Sequence, residues 1–334
     1  MVSASDALHG ALFALPFAVP LGVACLADDG PALLMRYMNP WTLPAWAWWS
    51  AWAVTRAGVG FWDHLVIMLV KMSKAKLLPT RSDPDKPVRF VPTWGCMASM
   101  VYLGINSFLE YLFVLNLTFY LWHSDAVPKT AGELGLVNTA VALYVMFAAM
   151  DVVYAPCHRF LHWAPVYPYV HKHHHRQVFP AQGYLDAGNE HPIEQVVGLS
   201  STWFGVYCAV YLTGAHAATI FAFFNIHAAL AMLNHSPYDI EFSVLGFTYS
   251  VGAHEMHHRC FTINYAQYFM FWDVAMGTWV NYEADHRAAM KAAKYSASYM
   301  GPRAKKAAKD VPPIVNANAA TNVSNTSAET KKAA

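Results

Sequence analysis

Thirteen of the chain's 17 histidines fall between His158 and His258, and their spacing marks them as residues that could do chemistry. In the run HRFLH, His158 and His162 are four apart and share a helical face about one turn from each other. After Pro165 and Pro168, which break that helix, HKHHH sets His171, His174 and His175 at i, i+3 and i+4 on one face, while His173 points elsewhere. The run HEMHH repeats the pattern with His254, His257 and His258. Three helical turns lined by imidazoles are what a many-ligand metal cluster needs. At this histidine content a chosen HxxHH site arises by chance with a probability of roughly 10⁻⁴, so two copies beside an HxxxH are not an accident of composition. A cluster of uncoordinated imidazoles would also be costly to bury unless each ring nitrogen had a partner. The isolated His9, His64, His123, His216 and His286 read instead as structural hydrogen-bonders.

Eight clustered imidazoles exceed the three protein ligands of a catalytic zinc, so two metal ions are implied. Imidazole suits iron as well as zinc. A carboxylate-bridged site of the ferritin type wants ExxH pairs on two helices, and among the clustered histidines only Glu255 to His258 supplies one. A competing pattern overlaps the last cluster: His254, Glu255, His257 and His258 also read as HExxH, in which two histidines bind zinc and the glutamate is a general base. An intramembrane zinc metalloprotease is therefore the runner-up among enzymes, although it leaves most of the other clustered histidines without a task. A metal transporter or sensor is the non-enzymatic alternative; it calls for ionisable residues along the spans, where only Glu110 and the Arg56/Asp63 region qualify.

The elements that must position these histidines are membrane helices. The 334 residues are 56% hydrophobic and only 13% charged, against roughly a quarter charged in ordinary soluble domains. Charge-free windows run over 7–27, 37–55, 90–109, 134–150 and 195–238. A crossing takes about 20 residues. The last window suits a helical hairpin turning near 213–216, and the stretch 46–70, which holds Arg56, Asp63 and His64, suits a span followed by an interfacial helix. The expected fold is all-α and integral to the membrane, with four to six transmembrane helices and a cytosolic, histidine-rich helical cap.

Residues 71–89 carry six basic and two acidic residues, which places that loop in the cytosol. Out-and-back pairs of spans then return the chain to the same face before His158 and again before His235, so the dense histidine segments share one side. The domain reading is 1–94 for N-terminal membrane segments and the basic loop, 95–285 for a catalytic domain, and 286–334 for a basic, disordered tail with nine basic and two acidic residues. That tail suits a membrane surface or the cytosol rather than nucleic acid. It ends Lys331-Lys332-Ala333-Ala334, similar to a dilysine retrieval signal of the endoplasmic reticulum. The five cysteines (Cys25, Cys96, Cys157, Cys208 and Cys260) are scattered without a CxxC, which argues against a disulfide framework and a thiolate zinc site. The sequons at Asn116, Asn322 and Asn325 fall in a span and in the expected cytosolic tail.

Asp151 to His162 (DVVYAPCHRFLH), His171 to His175, EHPIE at 190–194, NHSPYDIEF at 234–242 and HEMHHRCFTINYAQYFMFWDVAMGT at 254–278 resemble the fatty acid hydroxylase/sterol desaturase superfamily of membrane di-iron oxygenases, over roughly 135–280. HSPYDIEF and the NYAQ run are most similar to C4-methylsterol oxidases, although Pro237 stands where glycine is usual and Val274 where arginine is usual. The resemblance implies two non-haem irons that activate O₂ with electrons from NAD(P)H, commonly through cytochrome b5 and its reductase, to hydroxylate or desaturate a lipid: a sterol, or alternatively a fatty acyl chain or sphingolipid. It implies His158, His162, His171, His174, His175, His254, His257 and His258 as iron ligands, with His235 and His191 as additional ones. His227 is assigned to packing. Asp151, Glu194 and Asp273 are expected to accept imidazole N–H bonds and fix ligand tautomers.

Overall fold

The computed structural model describes residues 45–80, 97–285, 288–289 and 291. The windows at 7–27 and 37–44, the rest of the basic loop, His286 and the tail with its dilysine and two of its sequons lie outside the described residues. In chain order the elements are α1 (Ala45–Met72), α2 (Met97–His123), α3 (Leu136–Leu161), α4 (Tyr184–Ala187), α5 (Pro192–Thr213), α6 (Ala217–Asn234), β1 (Glu241–Val244), β2 (Phe247–Ser250), α7 (Val251–Cys260) and α8 (Phe271–Met276).

Among the described residues four helices are long and apolar enough to cross a bilayer: α2 over Met97–Leu121, then α3, α5 and α6. α1 is one continuous helix where a span and a separate interfacial helix were expected. The expected hairpin in 195–238 is present. Gly214 takes the left-handed conformation (φ +64°) that lets α5 end, and His216 caps α6 by accepting a bond from the Ala218 N–H at 3.0 Å. The turn is docked on the α2–α3 loop through the Ala217 N–H to the Pro128 carbonyl (2.9 Å) and His216 Nε2 to the Thr130 carbonyl (3.1 Å).

α3 and α5 pack most closely. A Cβ added at Gly205 would sit 2.5 Å from the Met146 carbonyl oxygen, so only glycine permits this approach. Met146 and Met150 of α3, Val206, Ala209 and Val210 of α5, and Ile220 and Phe223 of α6 form the buried seam below the histidines.

The cap departs from the all-helical expectation in two places. Residues 241–250 form an antiparallel hairpin, pairing Glu241 with Ser250 and Val244 with Phe247. Its turn, Leu245 (φ +50°) and Gly246 (φ +85°), has the left-handed pair that a tight hairpin demands. The stretch carrying His171 to His175 is a run of irregular turns closing in a short 3₁₀ segment, His174–Arg176, rather than an α-helix. The start of the basic loop is built into the same cap: the Leu78 N–H donates to the Pro237 carbonyl (3.0 Å) and the Asp239 N–H to the Lys76 carbonyl (2.8 Å).

Candidate metal centre

Among the described residues nine imidazoles converge under the cap in two groups. His158, His162, His171, His175 and His257 form one, and His174, His235, His254 and His258 the other; within each group the ring nitrogens lie within 4.8 Å of one another. All nine side chains are buried. α3 delivers His158 from its last turn and His162 from its C-cap, the irregular turns deliver His171, His174 and His175, the end of α6 delivers His235, and α7 delivers the other three. In the first group Nε2 atoms approach at 3.1 Å (His158–His171), 2.9 Å (His171–His175) and 3.2 Å (His162–His257). In the second they approach at 3.4 Å (His174–His235), 3.3 Å (His235–His254) and 3.1 Å (His254–His258).

These contacts cannot all be hydrogen bonds. A carbonyl oxygen only accepts, so the Nδ1 atoms facing the carbonyls of Tyr265 (from His158, 2.8 Å), Ile263 (from His257, 2.7 Å), Gln177 (from His258, 2.9 Å) and Ala231 (from His235, 2.9 Å) must carry the proton. A neutral ring with Nδ1 protonated has only a lone pair on Nε2. Those lone pairs point inward, and a cation is what satisfies them together. Bound to a divalent ion at about 2.1 Å, neighbouring nitrogens of a regular polyhedron sit roughly 3.0–3.4 Å apart, the spacing seen here. The donor set therefore fits two metal ions, one per group.

Burial and the neighbouring imidazoles hold His162, His171, His174, His175, His254, His257 and His258 well below the ordinary histidine range, and burial pushes His235 down to about 4. The rings are thus kept neutral, the form that ligates. Aromatic side chains close the first group from one side: Tyr167 stacks on His162 (5.3 Å between ring centres), Phe261 lies 5.0 Å from His175, and Tyr265 5.4 Å from His257.

His191 does not join either group. It is the N-cap of α5, its Nδ1 accepting the Ile193 N–H at 3.1 Å, and it packs edge-on against Tyr102. The proline at 192 takes the first helical position, so the EHP run is here a helix start. Glu194 does meet an imidazole: its Oε1 lies 2.6 Å from His171 Nδ1. Asp151 and Asp273 do not. Asp151 accepts the backbone N–H groups of Gln267, Tyr268 and Phe269 (3.0, 3.2 and 2.7 Å), and Asp273 those of Tyr265 and Ala266 (2.7 and 2.8 Å) plus the Thr278 hydroxyl (2.7 Å). Five consecutive N–H groups of a loop without secondary structure are shared between two buried carboxylates, and that loop supplies the carbonyl that orients His158. Their influence on the imidazoles runs through the backbone.

His173 turns away, to Asn189 Oδ1 at 2.8 Å and Ser99 at 3.2 Å. His227 pairs with the Tyr268 hydroxyl at 2.7 Å and stacks on Phe223, as packing requires. Glu255, the glutamate of HExxH, points away from the imidazoles: it accepts from the Thr80 hydroxyl (2.7 Å) and lies 3.5 Å from Arg259 Nε. A zinc protease needs that carboxylate beside the metal. Glu190 was missed in the sequence, although its spacing of four from Glu194 on a helix start was a signal. Burial pushes its carboxyl up to about 8.

The sequence model of the family described as fatty acid hydroxylase matches residues 143–278, the stretch that contributes every imidazole of both groups. The methylsterol monooxygenase erg25A of Aspergillus fumigatus is 30% identical over 206 residues, which are 60% of this chain and 67% of that protein. The chain belongs to the fatty acid hydroxylase family. The match to methylsterol monooxygenase 1 of Rattus norvegicus is 29% identical over 204 residues, again 60% of this chain and 67% of the relative. Cholesterol 25-hydroxylase of Mus musculus is 30% identical over 184 residues, 53% of this chain and 59% of that protein. No solved structure matches the chain significantly. Membership identifies the chain as an oxygen-dependent oxidoreductase of the membrane, and the histidine cluster as a site able to hold the iron such chemistry uses.

Proposed function

We propose that the chain hydroxylates or desaturates a lipid, a sterol in the manner of C4-methylsterol oxidation, at two irons held by the two imidazole groups. The observation that carries this reading is the convergence of nine buried imidazoles, as five and four, above a seam of four apolar helices. Bound iron supplies the redox chemistry that activates O₂. The chain's own residues do the rest. Nδ1 bonds to fixed backbone carbonyls aim the lone pairs of His158, His235, His257 and His258. Glu194 steadies His171. Tyr167, Phe261 and Tyr265 exclude water from the first group, and the apolar helices deliver a substrate that does not dissolve in water.

The substrate assignment is supported by the methylsterol monooxygenases among the relatives; a fatty acyl or sphingolipid substrate is the alternative within the same family. Electrons come from NAD(P)H through cytochrome b5 or a reductase docking on the cap. The protein sits in the endoplasmic reticulum membrane with the cap in the cytosol, a reading supported by the basic 71–89 segment, whose start pairs with the cap, and by the dilysine-like C-terminus. Purified protein should hold two irons per chain and convert a methylsterol in an O₂- and NAD(P)H-dependent reaction. A single zinc per chain with peptide cleavage would overturn the reading, and lipid profiling of cells lacking the protein separates sterol from acyl substrates.

A further inference from the structure

Two imidazoles, one from each group, meet buried carboxyl groups at one place. His171 belongs to the five-membered group and His174 to the four-membered one. His171 Nδ1 lies 2.6 Å from Glu194 Oε1. His174 Nδ1 is buried without a hydrogen-bond partner, as is Glu194 Oε2, on residues only 8% and 6% exposed. A ring nitrogen of His174 and carboxylate oxygens of Glu190 and Glu194 lie within 4.8 Å of one another. The two carboxyl groups also meet each other in hydrogen-bonding range. The position of Glu190 is fixed: Asn106 of α2 donates to the carbonyls of Glu190 (2.8 Å) and Gly188 (3.0 Å), and α5 begins two residues later.

We propose that Glu190 and Glu194 form an outer carboxyl clamp that ties one imidazole of each metal group together, with Glu190 the positioning residue for His174. A carboxylate on the outer nitrogen fixes the tautomer and orientation of a ligating ring, and losing such a partner commonly weakens metal binding about 10- to 100-fold.

The proposal rests on the reading that the imidazole groups hold iron, and its test separates the two. Iron per chain is measured in detergent-solubilised wild type and in Glu190→Ala during titration with a competing chelator, with the Mössbauer spectrum of the iron-loaded protein as a second readout. Wild type holds two irons. In Glu190→Ala the four-imidazole group should release its iron at a chelator concentration about 10- to 100-fold lower while the other iron is retained, and one quadrupole doublet should change. Glu190→Gln, whose amide oxygen still accepts from His174 and whose amide nitrogen donates to Glu194, should restore the wild-type titration. If Glu190→Ala does not fold, Glu190→Leu keeps the volume and removes the acceptor. A Glu190→Ala or Glu190→Leu protein with both the titration and the spectrum of wild type overturns the clamp. So does a third metal in wild type that Glu190→Ala removes, because the cluster is then itself a metal site. Wild type without iron overturns the underlying reading instead.

Discussion

Replacing Asp273 by asparagine tests whether the loop at 265–269 is held from outside. The carboxylate is fully buried and accepts three bonds, from the Tyr265 and Ala266 N–H groups and the Thr278 hydroxyl, all at 2.7–2.8 Å. Hydrogen bonds to a charged group contribute about 1.5–3 kcal/mol each, and a buried donor left unpaired costs about 1–3 kcal/mol. An amide keeps one acceptor oxygen and turns an NH₂ toward the second N–H, so one bond is lost outright and the others lose their charge. The net cost should be about 2–4 kcal/mol, and for Asp273→Ala about 3–6 kcal/mol, close to the whole stability of many proteins. Since the Tyr265 carbonyl holds His158 Nδ1, metal should be lost along with stability. Thermal unfolding of the detergent-solubilised protein and iron per chain are measured together, with the exposed Asp125→Asn as the control expected to change neither. An Asp273→Asn protein within about 0.5 kcal/mol of wild type and with full iron content would refute the reasoning, because the loop would then be holding itself.

Three further outcomes are expected. His235→Ala should strip metal from the second group, whereas His191→Ala should retain both metals and cost about 1 kcal/mol, the worth of a helix cap; elemental analysis and unfolding distinguish them. Gly205→Ala places a Cβ against the Met146 carbonyl and should destabilise the α3–α5 pair by about 1–3 kcal/mol, read as a lower unfolding temperature. In chelator-treated protein, His235 is neutral in the fold down to about pH 4 but takes up a proton near 6.5 once unfolded, so the unfolded state binds more protons in that window. Stability should therefore fall as pH drops from about 6.5 towards 4 and level off below; a flat profile counts against the buried neutral ring.

The spacing of His158 and His162, that of His254, His257 and His258, and the hairpin in 195–238 were legible because they follow the 3.6-residue period and the thickness of a bilayer, which are local properties of a sequence; the turns at 171–175 do not keep that period. Part of what escaped was decided by distant backbone. Asp151 and Asp273 carry no mark of the loop they hold; Asp151 bonds residues 116 to 118 positions later in the chain. His191 stands among histidines that converge and is distinguished only by the proline after it, whose fixed φ starts a helix. The β-hairpin has a sequence signal of its own in the alternation of Phe242, Val244, Phe247 and Tyr249 about Leu245-Gly246, a period of two rather than the helical 3.6.

Both imidazole groups draw on the helix Val251–Cys260 as well as on residues made far earlier, so neither is complete until that helix has left the ribosome. The four apolar helices are synthesised before then and can enter the bilayer with half-built sites. If the groups hold iron as proposed, neither can be filled before that helix has emerged, and cells short of iron should accumulate a full-length, inserted precursor rather than a truncated or soluble one.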